Sequence, residues 1–407
     1  MWKLRMRFYM RCGLAIIILG MVTATRTYAG GFERGNFNGE AVAGDATVAA
    51  TNPAGLAVLD RSQVISQFAI VSSSNKFESD GNTTVSGGDG GNAGHTRPAG
   101  GFHLAYKVKP NLGLAFSITS PFGGEVDYNN DWAGRYFVQN DNFNVFTATT
   151  SGGYKINDWL SFGAGISLNY AMYDQDIAIG FPGPIPDGKA EINTDDWEVG
   201  YNVGFLLTPT PMTKIGIAYR SEVEYELGGS FRLTIPTGQS RRTGVDITDL
   251  KTPQRVLVSV FQAVAKTTAL TLDVGWSDYS SFRQTSLNLE GGKALTIPRN
   301  WHDTWRVGLG VQHQFNKKWG AQAGFTYDTS PVDSDDRTPD LPVDRQISIS
   351  AGLAYEMTED ITIGLSYGYI DLGDGDFDLT GPAGGRVSGD YDTNRVNIFG
   401  LMFSYKL

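Results

Sequence analysis

The chain is almost without cysteine: Cys12 is the only one in 407 residues, and no lipobox-like apolar run leads up to it. Disulfides, thiolate metal sites and cysteine nucleophiles are therefore excluded together from everything downstream. Long hydrophobic runs are missing too. No stretch after residue 29 approaches the about 20 apolar residues of a membrane helix, which excludes a helical membrane protein. Basic residues are the minority, with 33 Lys and Arg against 43 Asp and Glu and no basic run past the N-terminus, so no nucleic-acid partner is expected. The four histidines (His95, His103, His302, His313) are scattered without metal-ligand spacing. Neither a metal nor a cofactor is predicted.

What is present begins with a secretory signal peptide over residues 1–29. Lys3, Arg5, Arg7 and Arg11 precede an apolar stretch from Gly13 to Ala24, and Thr27-Tyr28-Ala29 supplies small residues for cleavage before Gly30. Removing this segment takes away five basic residues (Lys3, Arg5, Arg7, Arg11, Arg26) and no acidic one. The formal charge moves from -10 to -15.

After residue 60 one pattern recurs, a run of alternating apolar and polar residues closed by a turn or a longer polar loop. In the last run Phe399, Leu401, Phe403, Tyr405 and Leu407 share one face, and Gly400, Met402, Ser404 and Lys406 share the other. The same period of two holds in Leu160 to Tyr170, Trp305 to Phe315 and Ile361 to Tyr369. Successive strand side chains alternate faces, so each run offers one greasy face and one small or polar face, as lipid outside and a lumen inside require. A soluble β-sandwich would need neither the C-terminal alternation of aromatics nor the regular succession of short and long connections.

Short turns fall at Lys109-Pro110-Asn111, Asn157-Asp158, Pro209 to Met212, Lys266-Thr267, Asn316 to Lys318 and Thr358 to Asp360. Six such turns plus an unpaired first and last strand predict an all-β fold, a 14-stranded antiparallel transmembrane β-barrel over residues 61–407. The expected strands are 61–78, 98–108, 111–128, 142–156, 159–179, 196–208, 213–229, 251–265, 268–290, 300–315, 318–331, 343–357, 360–379 and 386–407. Trp159 and Trp319, each just past a short turn, are expected in an interfacial girdle. So wide a barrel cannot be filled by its own side chains. Residues 30–60, Gly- and Ala-rich but carrying Phe32, Phe37, Val42, Val48, Leu56 and Leu59, are the expected N-terminal hatch, or plug, inside the lumen.

Within that segment, residues 44–57 read Gly-Asp-Ala-Thr-Val-Ala-Ala-Thr-Asn-Pro-Ala-Gly-Leu-Ala, and here the chain resembles the FadL/TodX (OMPP1) family of outer-membrane transporters of long-chain fatty acids and other hydrophobic compounds. Tyr219 to Val223, Trp305 to Gly310, and Asp328 to Val332 leading to Asp344-Arg345 carry the likeness along nearly all of residues 30–407. The resemblance implies a hatch motif at Asn52, Pro53 and Ala54, a gating segment at Gly30, Gly31 and Phe32, and a lateral exit at an inward kink in the third strand. Pro121, Phe122, Gly123 and Gly124 fit such a kink on physical grounds, because proline cannot donate to the ladder and paired glycines bend cheaply; they also fit an ordinary bulge. The chain departs from the common pattern of outer-membrane barrels in ending on Leu407 rather than Phe.

Strand parity puts Arg220, Arg306, Gln312, Gln314, Gln322 and Asp273 on the lumen side, and Arg220 or Arg306 could meet a carboxylate headgroup. Residues 61–71 and 256–264 carry apolar side chains in both registers, which implies a partly apolar interior or contact with the hatch. Catalysis is not expected. Gly364-Leu365-Ser366-Tyr367-Gly368 matches a nucleophile-elbow pattern, but Ser366 falls in mid-strand, not at a strand-to-helix turn. Asp374, Asp376 and Asp378 could offer oxygens to Ca²⁺ or form a solvated strand end; Gly81 to Gly94 reads as an extracellular loop. The expected function is gated uptake of hydrophobic molecules, most simply long-chain fatty acids, by a monomer surrounded by outer-membrane lipid. A nonselective polar porin and a barrel enzyme of lipase type are the alternatives on the same architecture.

Overall fold

A computed structural model describes residues 39–407 apart from Ala43, Pro382 and Ala383. The expected signal segment 1–29 and the expected gating residues Gly30, Gly31 and Phe32 lie outside the described residues.

The alternating runs form one antiparallel sheet. Its segments are β1 (Gln63–Ser79), β2 (Thr96–Lys109), β3 (Leu112–Asp127), β4 (Asn140–Lys155), β5 (Leu160–Ile179), β6 (Gly188–Thr210), β7 (Thr213–Arg220), β8 (Val223–Thr234), β9 (Ser240–Thr252) and β10 (Arg255–Ala265). They continue as β11 (Thr268–Ser277), β12 (Gln284–Leu289), β13 (Lys293–Pro298), β14 (Thr304–Gln314), β15 (Trp319–Asp328), β16 (Gln346–Glu356), β17 (Ile361–Asp371), β18 (Phe377–Thr380) and β19 (Arg386–Lys406).

Fourteen of these close the wall, in the order β1 to β7, β10, β11, β14 to β17 and β19. Closure is made by β1 against β19, from Gln63↔Lys406 to Ser79↔Gly389. A closed sheet leaves no edge, so every strand has a ladder partner on both sides within the hydrocarbon. The barrel predicted from the period of two is thus the observed one, and all six short turns fall where expected. Lipid-side parity also holds: Trp305, Val307, Leu309 and Val311 of β14 are exposed while Arg306 between them is buried.

Four expected strands are broken. The run 213–229 divides into β7 and β8, 268–290 into β11 and β12, and 360–379 into β17 and β18, while 251–265 takes in the end of β9 before β10; 300–315 is unbroken but begins only at Thr304, with β13 above it. The upper pieces pair with one another, β6 with β8, β8 with β9, β9 with β12 and β12 with β13, and raise the wall above the membrane on one side. Their apolar residues meet in a core of Tyr173, Ile192, Tyr225, Leu227, Ile247 and Phe282. A second loop core, around Phe77, Trp132, Tyr128 and Tyr391, covers the ends of β1 to β3.

The described residues of 39–59 make no strand. They form three short 3-10 helices, Glu40–Val42, Ala46–Ala49 and Pro53–Val58, which pack on the inner faces of β1 to β7 and β10. Val48, Leu56 and Ile65 of β1 share one fully buried cluster. Ala41 meets Leu257 in a second, and Val42 and Ala54 meet Phe261 around a third.

Candidate functional site

Asn52 is fully buried at the start of the third helix and holds it in three directions. Its Nδ2 donates to the carbonyls of Ala41 (2.7 Å) and Phe205 (3.0 Å), and its Oδ1 accepts from the Ala54 N–H (3.2 Å). The last bond is a helix N-cap, with Pro53 at the first helical position, where its missing N–H costs nothing. Further grips come from the wall: Asp273 Oδ2 accepts from the Gly39 N–H, Gln63 Oε1 from the Ala46 N–H, and Arg220 Nη2 donates to the Ala50 carbonyl (2.8 Å).

The wall leaves room for this segment by omitting side chains. A Cβ on Gly204 would lie 1.9 Å from Asn52 Oδ1, and one on Gly216 would lie 1.8 Å from the Ala41 carbonyl oxygen. Gly153 and Gly163 face Pro53 and Ala54 in the same way. No sequence signal separates these glycines from the others, because a residue without a side chain has no visible parity.

Above the inner segment lies a cavity of about 260 Å³, close to the lower end of the about 300–1,000 Å³ typical of small-molecule sites. Its lining is mainly apolar, with Phe122, Phe143, Phe282, Trp301, Leu341 and Ile370 prominent. The strand breaks produce it. Pro253 lies between β9 and β10, Tyr279 and Phe282 between β11 and β12, Trp301 between β13 and β14, and all four face the cavity.

The third strand contributes the same kind of irregularity. In the β3–β4 ladder the register shifts between Thr119 and Phe122, so Ser120 and Pro121 bulge opposite Phe146. On the other side the β2–β3 ladder ends at Phe102↔Ile118. Of the four residues Pro121 to Gly124 only Pro121 lies in the bulge; Phe122, Gly123 and Gly124, which line the cavity, are back in register with Val145, Asn144 and Phe143.

Beneath the apolar space a smaller chamber of about 40 Å³ shares Phe122, Pro253, Tyr279 and Asp328 with it and adds Arg220, Arg255 and Arg306. Arg220 and Arg306 are the two cations that strand parity pointed to; Arg255 was missed, since its strand is apolar in both registers. Arg220 and Arg255 are direct cross-strand neighbours, and Arg306 pairs in register with Asp328. Like charges directly opposite one another destabilise a sheet. Three guanidiniums and one carboxylate in so small a space make an anion-attracting chamber at the foot of a greasy one.

The acidic residues of the upper cavity are differently placed. Asp340 forms a buried two-pronged pair with Arg299, Nη1 to Oδ1 at 3.0 Å and Nη2 to Oδ2 at 2.6 Å. Burial pushes the Asp340 carboxyl up, yet the Arg299 guanidinium outweighs it and holds that carboxyl below the usual range. Glu125 is held in turn by Arg97. Asp376 and Asp378 are taken by Arg337 and Arg386, which leaves the solvated-strand-end reading of that acidic run the better one, and no cluster among the described residues could hold a metal ion.

The sequence pattern of the family described as "Outer membrane protein transport protein (OMPP1/FadL/TodX)" matches residues 21–407. The chain belongs to that family. Among similar proteins, the long-chain fatty acid transport protein of Escherichia coli O6:H1 is 24% identical over 88% of this chain and 90% of its own length. Among solved structures, a Pseudomonas aeruginosa FadL homologue superposes with a TM-score of 0.85 at 20% identity, covering 94% of this chain and 99% of that one. The Ralstonia pickettii toluene transporter TbuX gives 0.69 at 17% identity over 89% of this chain and 94% of that one. A member of the OMPP1/FadL/TodX family is an outer-membrane barrel that transports hydrophobic compounds, and the family is not one of enzymes. In keeping with that, Ser366 sits inside β17, paired across to Gly352 and Gly400.

Proposed function

We propose that this barrel takes up long-chain fatty acids, with the acyl chain in the apolar cavity and the carboxylate in the three-arginine chamber below it. The observation that carries this reading is the joining of the two spaces through Phe122, Pro253, Tyr279 and Asp328. A neutral hydrocarbon would use only the upper space and make no use of the positive charge below it. Charge-assisted hydrogen bonds to a carboxylate are about twice as strong as neutral ones, and arginine presents them in pairs.

In this reading residues 39–59 are a plug, Asn52, Pro53 and Ala54 set its seat, and Arg220 joins the headgroup chamber to the plug through the Ala50 carbonyl. Cargo leaves sideways at the β3 bulge. Against a nonselective porin stands the packing of that segment across the lumen.

Binding of a fluorescent long-chain fatty acid to the purified barrel, set beside its methyl ester, tests the proposal. The acid is expected to bind at least about tenfold more tightly, and Arg255→Gln to remove most of that preference, since hydrogen bonds to charged groups contribute roughly 1.5–3 kcal/mol. Equal binding of acid and ester would redirect the reading to neutral cargo of the kind named for the toluene transporter.

A further inference from the structure

We propose that the ion pair between Arg97 and Glu125 is a latch across the gap between β2 and β3, and that it sets the rate of sideways release. The proposal rests on the reading that cargo leaves through this gap. Ladder pairs between the two strands end at Phe102↔Ile118, and the next backbone bond between these chain stretches is from the Asp127 N–H to the Ala93 carbonyl (3.0 Å). Thr119 to Val126 thus face β2 without ladder pairs, a length of roughly 26 Å at about 3.3 Å per residue.

Both rims are built to stay apart. Pro98 on β2 and Pro121 on β3 have no N–H to give, and in the register continued from the last ladder pair Gly101 and Gly100 fall opposite Thr119 and Ser120, and Gly123 opposite Arg97. The gap opens beside a partly exposed aromatic pair. Pro121 bulges opposite Phe146, Phe146 pairs with Tyr170, and Tyr170 stacks on the exposed Trp197 at 4.6 Å.

Two charged side chains span this opening. Arg97 Nε donates to Glu125 Oε2 at 3.0 Å and Arg97 Nη2 to Glu125 Oε1 at 2.6 Å. The Glu125 side chain is 7% exposed and lines the cavity, while Arg97, from the opposite rim, is 33% exposed. The bond therefore crosses from one rim to the other beside the cavity, since Arg97 pairs in register with Val71, which lines it. A bidentate guanidinium–carboxylate pair fixes both distance and orientation, which a single contact would not. Holding the rims together keeps the cavity sealed from the bilayer between transport events, and parting them exposes Gly123 and Gly124 as the sill that an acyl chain crosses.

The test uses the full barrel in outer-membrane vesicles, with a fluorescent long-chain fatty acid as probe. Arg97→Gln and Glu125→Gln are each expected to raise the initial rate of release into the membrane roughly two- to tenfold. Spin labels on cysteines at Thr96 and Gly124 should report a broader distance distribution in both variants than in the parent. A staple between cysteines at Gly101 and Thr119, the next positions after the last ladder pair, should abolish release until it is reduced. A blocking staple together with unchanged rates and distances in both glutamine variants would overturn the latch and leave the exit intact. Release unaffected by the staple would overturn the exit and the latch with it. Should one glutamine variant fail to fold, the other and the distance measurement still decide.

Discussion

Replacing Asn52 by alanine isolates the seat of the inner segment, because the side chain makes three bonds in a site with no solvent access. Each buried hydrogen bond contributes about 0.5–1.5 kcal/mol net, and an N-cap contributes about 1 kcal/mol. Together they put the loss at about 2–4 kcal/mol, which multiplies the population with a displaced segment roughly 30- to 700-fold. Cys12 is the only native cysteine, so a Cys12→Ser, Ala49→Cys background gives one thiol at a fully buried position of the second helix. The labelling rate of that thiol by a water-soluble reagent reads the displaced population directly. Asn52→Ala should raise the rate by about that factor. Asn52→Asp should do at least as much, since it keeps the bond to Ala54 but sets an anion against two carbonyls. Heat-modified gel mobility of the barrel should not change. Labelling within a factor of about two of the parent would refute the argument that these three bonds hold the segment in place.

The wall side of the same contact predicts that Gly204→Ala, whose Cβ would fall 1.9 Å from Asn52 Oδ1, raises Ala49→Cys labelling much as Asn52→Ala does; no change would show that the segment does not sit against β6. In the loop layer, Asp340→Asn leaves the buried Arg299 guanidinium without its countercharge, and a destabilisation of about 3–5 kcal/mol is expected by denaturant titration of tryptophan fluorescence. Asp340 has its carboxyl lowered in the folded state, so its stabilisation is fully present above the ordinary value of 3.8 and is lost as the pH falls through the lower folded value. The loops of the parent should therefore loosen only below about pH 4, and loosening between pH 5 and 7 would contradict the pair's role.

The barrel was legible because lipid and lumen impose a period of two on every strand, and that period survives in single residues such as Leu309 and Leu401. The breaks in four strands were not legible for the same reason. Alternation carries on through β8, β9, β12 and β13, which bury one face in the loop core, so 213–229 and 268–290 read as uninterrupted runs. The double-register segments had two explanations, and each applies in a different place. Ile65, Leu257 and Phe261 turn inward to meet the inner segment, whereas Val71 turns inward to line the cavity. Arg255 escaped notice because its role depends on Arg220 lying directly across from it, and cross-strand register between distant runs is not written in either of them.

A closed wall in hydrocarbon tolerates few unpaired backbone groups, so each departure from the ladder needs compensation. The β3 bulge shows how that is met: Ser120 Oγ donates to the Val145 carbonyl at 3.0 Å beside a proline that has no donor to lose. The breaks at Pro253, Tyr279 to Phe282 and Trp301 lie higher, where loop cores cover them. All of them face one cavity. The β7–β8 break at Ser221 and Glu222 and the β8–β9 register shift at Tyr225 to Leu227 do not line that cavity; the convergence of the β3 bulge and those three breaks on one apolar space, with cations at its foot and an incomplete ladder at its side, is what a site needs if cargo must enter from above and leave through the wall.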